Sequence, residues 1–347
     1  MPTDYLKPGL TLSAGAPNDP AAVRALQRDL RALGYLLRGV DGSFGDQTVR
    51  AIRALQNDLL TNQGLSTGKD GRAPVAMTAF NIDAAGHKRV TAITGVLDQP
   101  LAQCIAALLA DARVVKLPFA GDPKAENAKA LAEIAGSVST VAPTPFISAM
   151  IIQESGGQHY HVPGTNDDDR CVTVGLDRNA QGNADAITSR GFGVGQFTLF
   201  HHPPRPEELT DYIIDPVRNV QHAFTELRQK FDRFLVGPDS RADDRNAEHP
   251  LLNLRLCKYQ PGNPLYMRDC KACAQAARKV NITRGTPVYQ GAAISYQPDQ
   301  YYPSAIYNAV PDRADFACDW PYAARRYNGS GNDSFHYQTR ILLNLLR

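Results

Sequence analysis

Two amphipathic stretches joined by a glycine-punctuated turn constrain the fold of this chain more than any other feature. Asp19-Pro20 opens the first, with an aspartate able to cap a helix and a proline suited to its first position. Val23, Leu26, Leu30 and Leu33 then recur at three- and four-residue spacing, on one helical face, and Gly34 ends the run. Gly39-Val40-Asp41-Gly42-Ser43-Phe44-Gly45-Asp46 reads as a turn. A second helix follows with Val49, Ile52, Leu55 and Leu59. Thr94-Gly95-Val96-Leu97-Asp98-Gln99 repeats the turn logic, before a third helix with Leu101, Ile105, Leu108 and Leu109. Each helix has one apolar stripe to bury, so a small three-helix bundle is expected.

The rest of the chain divides around this bundle. Residues 1–18 are rich in Pro and Gly and read as an extended arm. The bundle occupies 19–110, with a long polar loop over Thr61–Val90. Residues 111–124, which include Lys116-Leu117-Pro118-Phe119-Ala120-Gly121-Asp122-Pro123, read as a linker. Residues 125–347 form a second domain, large enough for its own core. Its helices begin near Ala125, at Thr144 and at Asp215-Pro216, where Val217, Val220, Phe224, Leu227, Phe231 and Phe234 share a face. A last helix near Tyr337–Leu346 buries Ile341, Leu342 and Leu345. Cys171-Val172-Thr173-Val174-Gly175-Leu176 is a short strand-like run, and residues 237–315 are loop-rich and tyrosine-rich. The fold class expected is mainly α: a small three-helix domain followed by an α+β domain with a small β element and long insertions.

Composition narrows the function. A net charge of +2 over 347 residues leaves no electrostatic footprint for nucleic acid. No stretch approaches about 18 uninterrupted apolar residues, so no membrane span is expected. Met1–Gly9 has no apolar segment of the secretory type, so a target outside the cytoplasm implies another route of export. The six cysteines are Cys104, Cys171, Cys257, Cys270, Cys273 and Cys318. Disulfides are the leading expectation, with reduced structural thiols or a metal site as alternatives, and Cys104 on its apolar helix reads as a buried free thiol. No cofactor is called for.

The first helical region resembles the peptidoglycan-binding domain of many cell-wall hydrolases. The matching residues are Val23-Arg24-Ala25-Leu26-Gln27, Leu33-Gly34-Tyr35, Val40-Asp41-Gly42 with Phe44-Gly45 and Thr48, and Ala51-Ile52-Arg53-Ala54-Leu55-Gln56. The resemblance implies that Tyr35 and the turn from Asp41 to Asp46 face glycan or stem peptide.

In the second domain one carboxylate stands out. Glu154 ends the apolar helix Thr144–Ser155 just before Gly156-Gly157. Apolar surroundings raise a carboxyl pKa, which suits a general acid near neutral pH. Three segments together resemble the lysozyme-like fold of soluble lytic transglycosylases and goose-type lysozymes. They are Gln153-Glu154-Ser155-Gly156, Gly191-Phe192-Gly193-Val194-Gly195-Gln196-Phe197-Thr198, and Ala324-Arg325-Arg326-Tyr327-Asn328-Gly329. Gly195 stands where those families usually carry methionine. The resemblance implies Glu154 as catalytic acid and Ser155, Gly193, Gln196, Tyr327 and Asn328 as substrate contacts. Glycines at 191, 193 and 195 would let a sugar approach the backbone. A second carboxylate would come from Asp167, Asp177 or Asp185, in the interval where goose-type lysozymes place aspartates; Asn166–Asp169 otherwise reads as a solvated turn.

These readings converge on an enzyme that cleaves the β-1,4 bond between N-acetylmuramic acid and N-acetylglucosamine, as a muramidase or a lytic transglycosylase. Its partners would be peptidoglycan glycan strands. It would act as a monomer in the periplasm or on the wall, as a phage endolysin or as an antibacterial (type VI-like) effector with a cognate immunity protein. Two rivals stand beside it. One is a non-catalytic wall-binding part of a phage or secretion machine. The other is a zinc amidase or peptidase drawing on the cysteines and on His159, His161, His201 and His202.

Overall fold

A computed structural model describes residues 4–65, 75–137, 142–175, 178–180, 182–231, 255–270, 287–289, 292–293, 317–327, 337–338, 340–342 and 344–345. The chain forms two compact units, each assembled from two stretches of sequence. Unit 1 comprises Met1–Ser137 and Gln158–Val220; unit 2 comprises Val138–Gly157 and Gln221–Arg347. The boundaries therefore fall at 137/138, 157/158 and 220/221, and not within 111–124.

Unit 1 contains the expected bundle: α1 (Pro20–Ala32), α2 (Asp46–Thr61) and α3 (Gln99–Ala110). Asp19 caps α1 by accepting from the Ala21 amide, and Asp98 caps α3 by accepting from the Leu101 amide. Leu26, Leu30, Ile52, Leu55, Leu101, Ile105 and Leu108 form one core. The N-terminal residues belong to it instead of trailing as an arm. Tyr5 is buried with its hydroxyl on Asp29, and Leu12 pairs with Leu97 through two 3.0 Å backbone hydrogen bonds. Two buried glutamines bolt the turns to the helices. Gln27 accepts from the Gly42 amide at 2.9 Å and donates to Asp41 Oδ1, the Ser43 carbonyl and Thr48 Oγ1. Gln56 does the same for the later turn, accepting from the Thr94 and Gly95 amides at 2.9 Å each. One device thus fixes both glycine turns.

A second core in the same unit gathers Val115, Leu117, Cys171, Val172, Phe192, Phe197 and Leu199. It lies under a three-stranded antiparallel sheet of β1 (Arg178–Ala180), β2 (Asn183–Phe192) and β3 (Phe197–Leu199), with β2 in the centre. The strand-like run at Cys171–Leu176 contributes only isolated bridges: Cys171 with Phe119, Val172 with Tyr160, Val174 with Phe192. β2 has no counterpart in the sequence reading.

Residues 166–169 are a solvated turn only in part: Asn166 and Asp168 are exposed, but Asp169 is not. Asp169 is 0% exposed and meets Arg31, also 0% exposed, at 2.9 Å. Asp169 further accepts from the amides of Gly39 and Cys171, while Arg31 donates to the carbonyls of Leu36 and Val172. A charge pair can be buried when its remaining donors and acceptors are satisfied in this way.

In unit 2, α5 (Thr144–Ser155) buries Phe146, Ile147, Ala149, Met150 and Ile151; α4 (Pro123–Ser137) belongs to unit 1. α6 (Pro216–Phe231) carries the chain out of unit 1, and α7 (Trp320–Tyr327) buries Trp320, Ala323 and Ala324. Arg255 and Asp319 tie distant segments together through a 2.9 Å ion pair, beside a hydrogen bond from Trp320 Nε1 to the Leu256 carbonyl. Ile341, Leu342 and Leu345 are buried. Asn344 anchors their helix by donating to the Ala149 carbonyl at 3.1 Å. A short hairpin of β4 (Pro287–Tyr289) and β5 (Ala292–Ala293) completes the described strands; the other tyrosines expected around 289–307 lie outside the described residues.

The leading expectation of disulfides is not met at Cys171 and Cys257, which carry free thiols, while Cys104 is the buried free thiol expected. Burial pushes Cys104 up to about 11, so its thiol stays protonated. Cys270 and Cys318 are buried, and Cys273 lies outside the described residues.

Candidate functional site

Glu154 occupies the last turn of α5, where Gly156 takes a left-handed conformation (φ 66°) and closes the helix on the Ile151 and Ile152 carbonyls. That stop fixes where the carboxyl emerges. Burial of the carboxyl pushes its pKa up to about 7 against an ordinary value of 4.5. The Tyr337 hydroxyl donates to Glu154 Oε1 at 2.5 Å and pulls the other way, because it stabilises the ionised form. Tyr327 packs against Tyr337 with ring centroids 6.0 Å apart. Both phenols are pushed well up, by burial first and then by the Glu154 charge, so both stay protonated. Glu154, Tyr337 and Tyr327 thus form one cluster within unit 2, holding a carboxyl half-protonated near neutral pH.

Tyr337 escaped the sequence reading. It lies 183 residues from Glu154, and nothing local marks it apart from the neighbouring tyrosines. Removing its hydroxyl has a signed consequence: Tyr337→Phe is expected to raise the Glu154 pKa further. Carbon-13 NMR titration of the Glu154 carboxyl measures this directly. A midpoint unchanged or shifted down would show that the hydroxyl does not bias the charge state. Ser155, placed among the substrate contacts, turns its hydroxyl back to the Ile151 carbonyl at 3.0 Å. Asn328 lies outside the described residues.

The glycine-rich segment belongs to unit 1, and its glycines serve packing. A Cβ on Gly175 would lie 1.6 Å from Gln196 Oε1, and one on Gly191 would lie 2.8 Å from it. Gln196 therefore fills the space that the sequence reading left for a sugar. Its amide donates to the Gly193 carbonyl at 2.7 Å, and its backbone is held at φ 53°. The spaces at Gly193 and Gly195 are taken by Asn219, whose contacts to a Cβ at either position would be 3.0 Å or less.

Asn219, a residue the sequence did not single out, is 0% exposed. It accepts from the Gly195 amide and donates to the carbonyls of Phe192 and Tyr212. Asn219→Ala strands these partners and is expected to destabilise unit 1 by about 1–3 kcal/mol for each buried group left unmade. Urea unfolding tests it; an unchanged midpoint would remove Asn219 from the account.

Two of the three aspartates expected to supply a second carboxylate, Asp185 and Asp167, are otherwise engaged. Asp185 forms a two-pronged pair with Arg53 of α2, at 2.9 and 2.7 Å. Asp167 accepts from the Val40 and Asp169 amides and faces His161 Nε2 at 3.4 Å. Asp177 lies outside the described residues. Tyr35 does not face a ligand: it is 2% exposed, with its hydroxyl on Asp58 at 2.6 Å and its ring edge-on to His202 at 4.5 Å. Asp41 is exposed in the turn, its Oδ1 held by Gln27 and the Ser43 amide.

The histidines are dispersed in role. His201 bonds Glu208 at 3.0 Å, and Glu208 also pairs with Arg205. Burial lowers His159 to about 4, and its Nδ1 accepts from the Val194 amide. Among the described residues no group of three or more His, Cys, Asp or Glu side chains is arranged to hold a metal ion.

Residues 19–62 match the family described as "Putative peptidoglycan binding domain". The match spans α1, the Gly39–Asp46 turn and α2, which supports a peptidoglycan-binding domain there and peptidoglycan as a partner. No curated protein and no solved structure matches the chain. No helix among the described residues is long and apolar enough to cross a membrane.

Proposed function

We propose that the chain is a wall-associated glycosidase cutting the β-1,4 bond between N-acetylmuramic acid and N-acetylglucosamine, with Glu154 as its acid. The observation that carries this reading is the Glu154 carboxyl, held near pKa 7 by burial beside Tyr337. A carboxyl in that state gives its proton to the departing glycosidic oxygen and is then ready to take one back. The peptidoglycan-binding domain supports the substrate class, because it concentrates the enzyme on the wall.

The engagement of Asp167 and Asp185 favours a single-carboxylate course. Glu154, once ionised, takes the proton from the C6 hydroxyl of the muramic acid as that oxygen closes on C1. The product is a 1,6-anhydro sugar. Water activated by a second carboxylate would instead leave a reducing end. Mass spectrometry of fragments released from purified sacculi separates the two, since the anhydro product is lighter by one water. Release of hydrolysed ends alone would overturn the single-carboxylate course, and release of no fragments would overturn the glycosidase.

In this reading the site of action is the periplasm or the wall, whether the protein is injected as an effector or released as an endolysin. An effector brings a cognate immunity protein. The glycine segment favours one alternative: its space is filled by Gln196 and Asn219, as in a domain that binds the wall without cutting it. Sacculus binding without release of any fragment would favour that alternative.

A further inference from the structure

An open groove of about 340 Å³ runs along the turn between α1 and α2 in unit 1. Arg38, Asp41, Asp46 and Gln47 line one part of it, while His161 and Asp167 come from well beyond the residues 19–62 that match the wall-binding family. Its chemistry is unlike that of a sugar cleft. No Phe, Tyr or Trp lines it, so it has no flat apolar platform for a sugar ring. Tyr35, the aromatic expected to serve there, is buried on Asp58.

The groove instead presents both signs of charge. Arg38, Asp41 and Asp46 are exposed, and neither Arg38 nor Asp46 has an ion-pair partner among the described residues. The frame that holds them is stiff. Gln27, 3% exposed, makes hydrogen bonds to Gly42, Asp41, Ser43 and Thr48, and Asp167 pins the Val40 amide at 2.7 Å. Charges displayed on a fixed backbone lose little freedom when they bind.

We propose that this groove takes the stem peptide of peptidoglycan, with Arg38 meeting a carboxylate and Asp41 and Asp46 meeting an ammonium group. His161 and Asp167 make the site composite, so the binding surface extends beyond the matched domain. The inference rests on wall association and not on the glycosidase reading.

The test is calorimetric titration of the whole wild-type chain with the soluble tripeptide L-Ala-γ-D-Glu-meso-diaminopimelate, competed with a peptide-free N-acetylglucosamine tetramer. The tripeptide is expected to bind and the tetramer not to displace it. Arg38→Ala, a change at an exposed side chain, and His161→Ala are each expected to weaken the tripeptide tenfold or more, with circular dichroism unchanged. Displacement by the tetramer, or full tripeptide affinity in Arg38→Ala, would overturn the ligand assignment. Full affinity in His161→Ala would overturn the composite site. Absent tripeptide binding with retained sacculus binding would sink this inference while leaving wall association standing. Loss of sacculus binding in the wild-type chain would remove the premise itself.

Discussion

Glu154→Gln is expected to lower muropeptide release by about two to four orders of magnitude, the usual contribution of a positioned general acid. Glutamine keeps the shape and can still accept from the Tyr337 hydroxyl, but it has no proton to give. Stability is expected to move the other way. The folded pKa of Glu154 is about 7 against 4.5, so the native state holds this proton more tightly than the unfolded chain does. The resulting stabilisation is complete below about pH 4.5, declines as pH rises, and is lost above about pH 7. Glutamine never ionises, so the variant should melt at or above the wild-type temperature at pH 8. Sacculus binding should be unaffected, since the wall-binding domain lies in unit 1. Thermal melts, turbidity assays and co-sedimentation with sacculi, at two pH values, read out all three. Undiminished clearing by the glutamine variant would remove Glu154 from the chemistry. A melt lowered at pH 8 would mean that the carboxylate is structural.

The second large effect lies in unit 1. Asp169→Ala leaves the Arg31 guanidinium buried without its counter-charge, and strands the amides of Gly39 and Cys171. Breaking a buried pair from one side costs about 3–5 kcal/mol, far more than loss of a surface pair. Chemical denaturation should show the midpoint falling accordingly. Asp168→Ala is the control, because its 3.6 Å pair with Arg24 is exposed and should matter by less than about 1 kcal/mol. Equal effects from the two variants would mean that the buried pair has no special weight. The same contact explains why a fragment ending near residue 110 is expected to be a poor substitute for the intact unit: it keeps Arg31 and loses Asp169.

The sequence was informative where the determinants are local. The spacing of Val23, Leu26 and Leu30, and the caps Asp19 and Asp98, are readable because a helix is a pattern of near neighbours. Glu154 was readable for a similar reason, as a carboxylate at an apolar helix end with a glycine stop. What could not be read is set by distant partners. Asp169 and Arg31 are 138 residues apart, and Arg53 and Asp185 are 132. An acidic loop looks solvated until its arginines are placed. Strand β2 buries Ser189, Arg190, Gly191 and Phe192 in succession, so it lacks the in-out alternation that identifies a half-buried strand. The glycines at 191, 193 and 195 signalled a close approach, but the group approaching is a side chain of the protein itself.

The interleaving of the two units has a consequence for biosynthesis. Unit 1 has all its residues once the chain reaches Val220, so it can close while the ribosome is still at work. Helix α5 is made early, yet the phenol that clamps its glutamate is translated only 183 residues later, with Tyr337. A nascent chain would therefore be able to close unit 1, with its matched domain, before Glu154 meets its phenol.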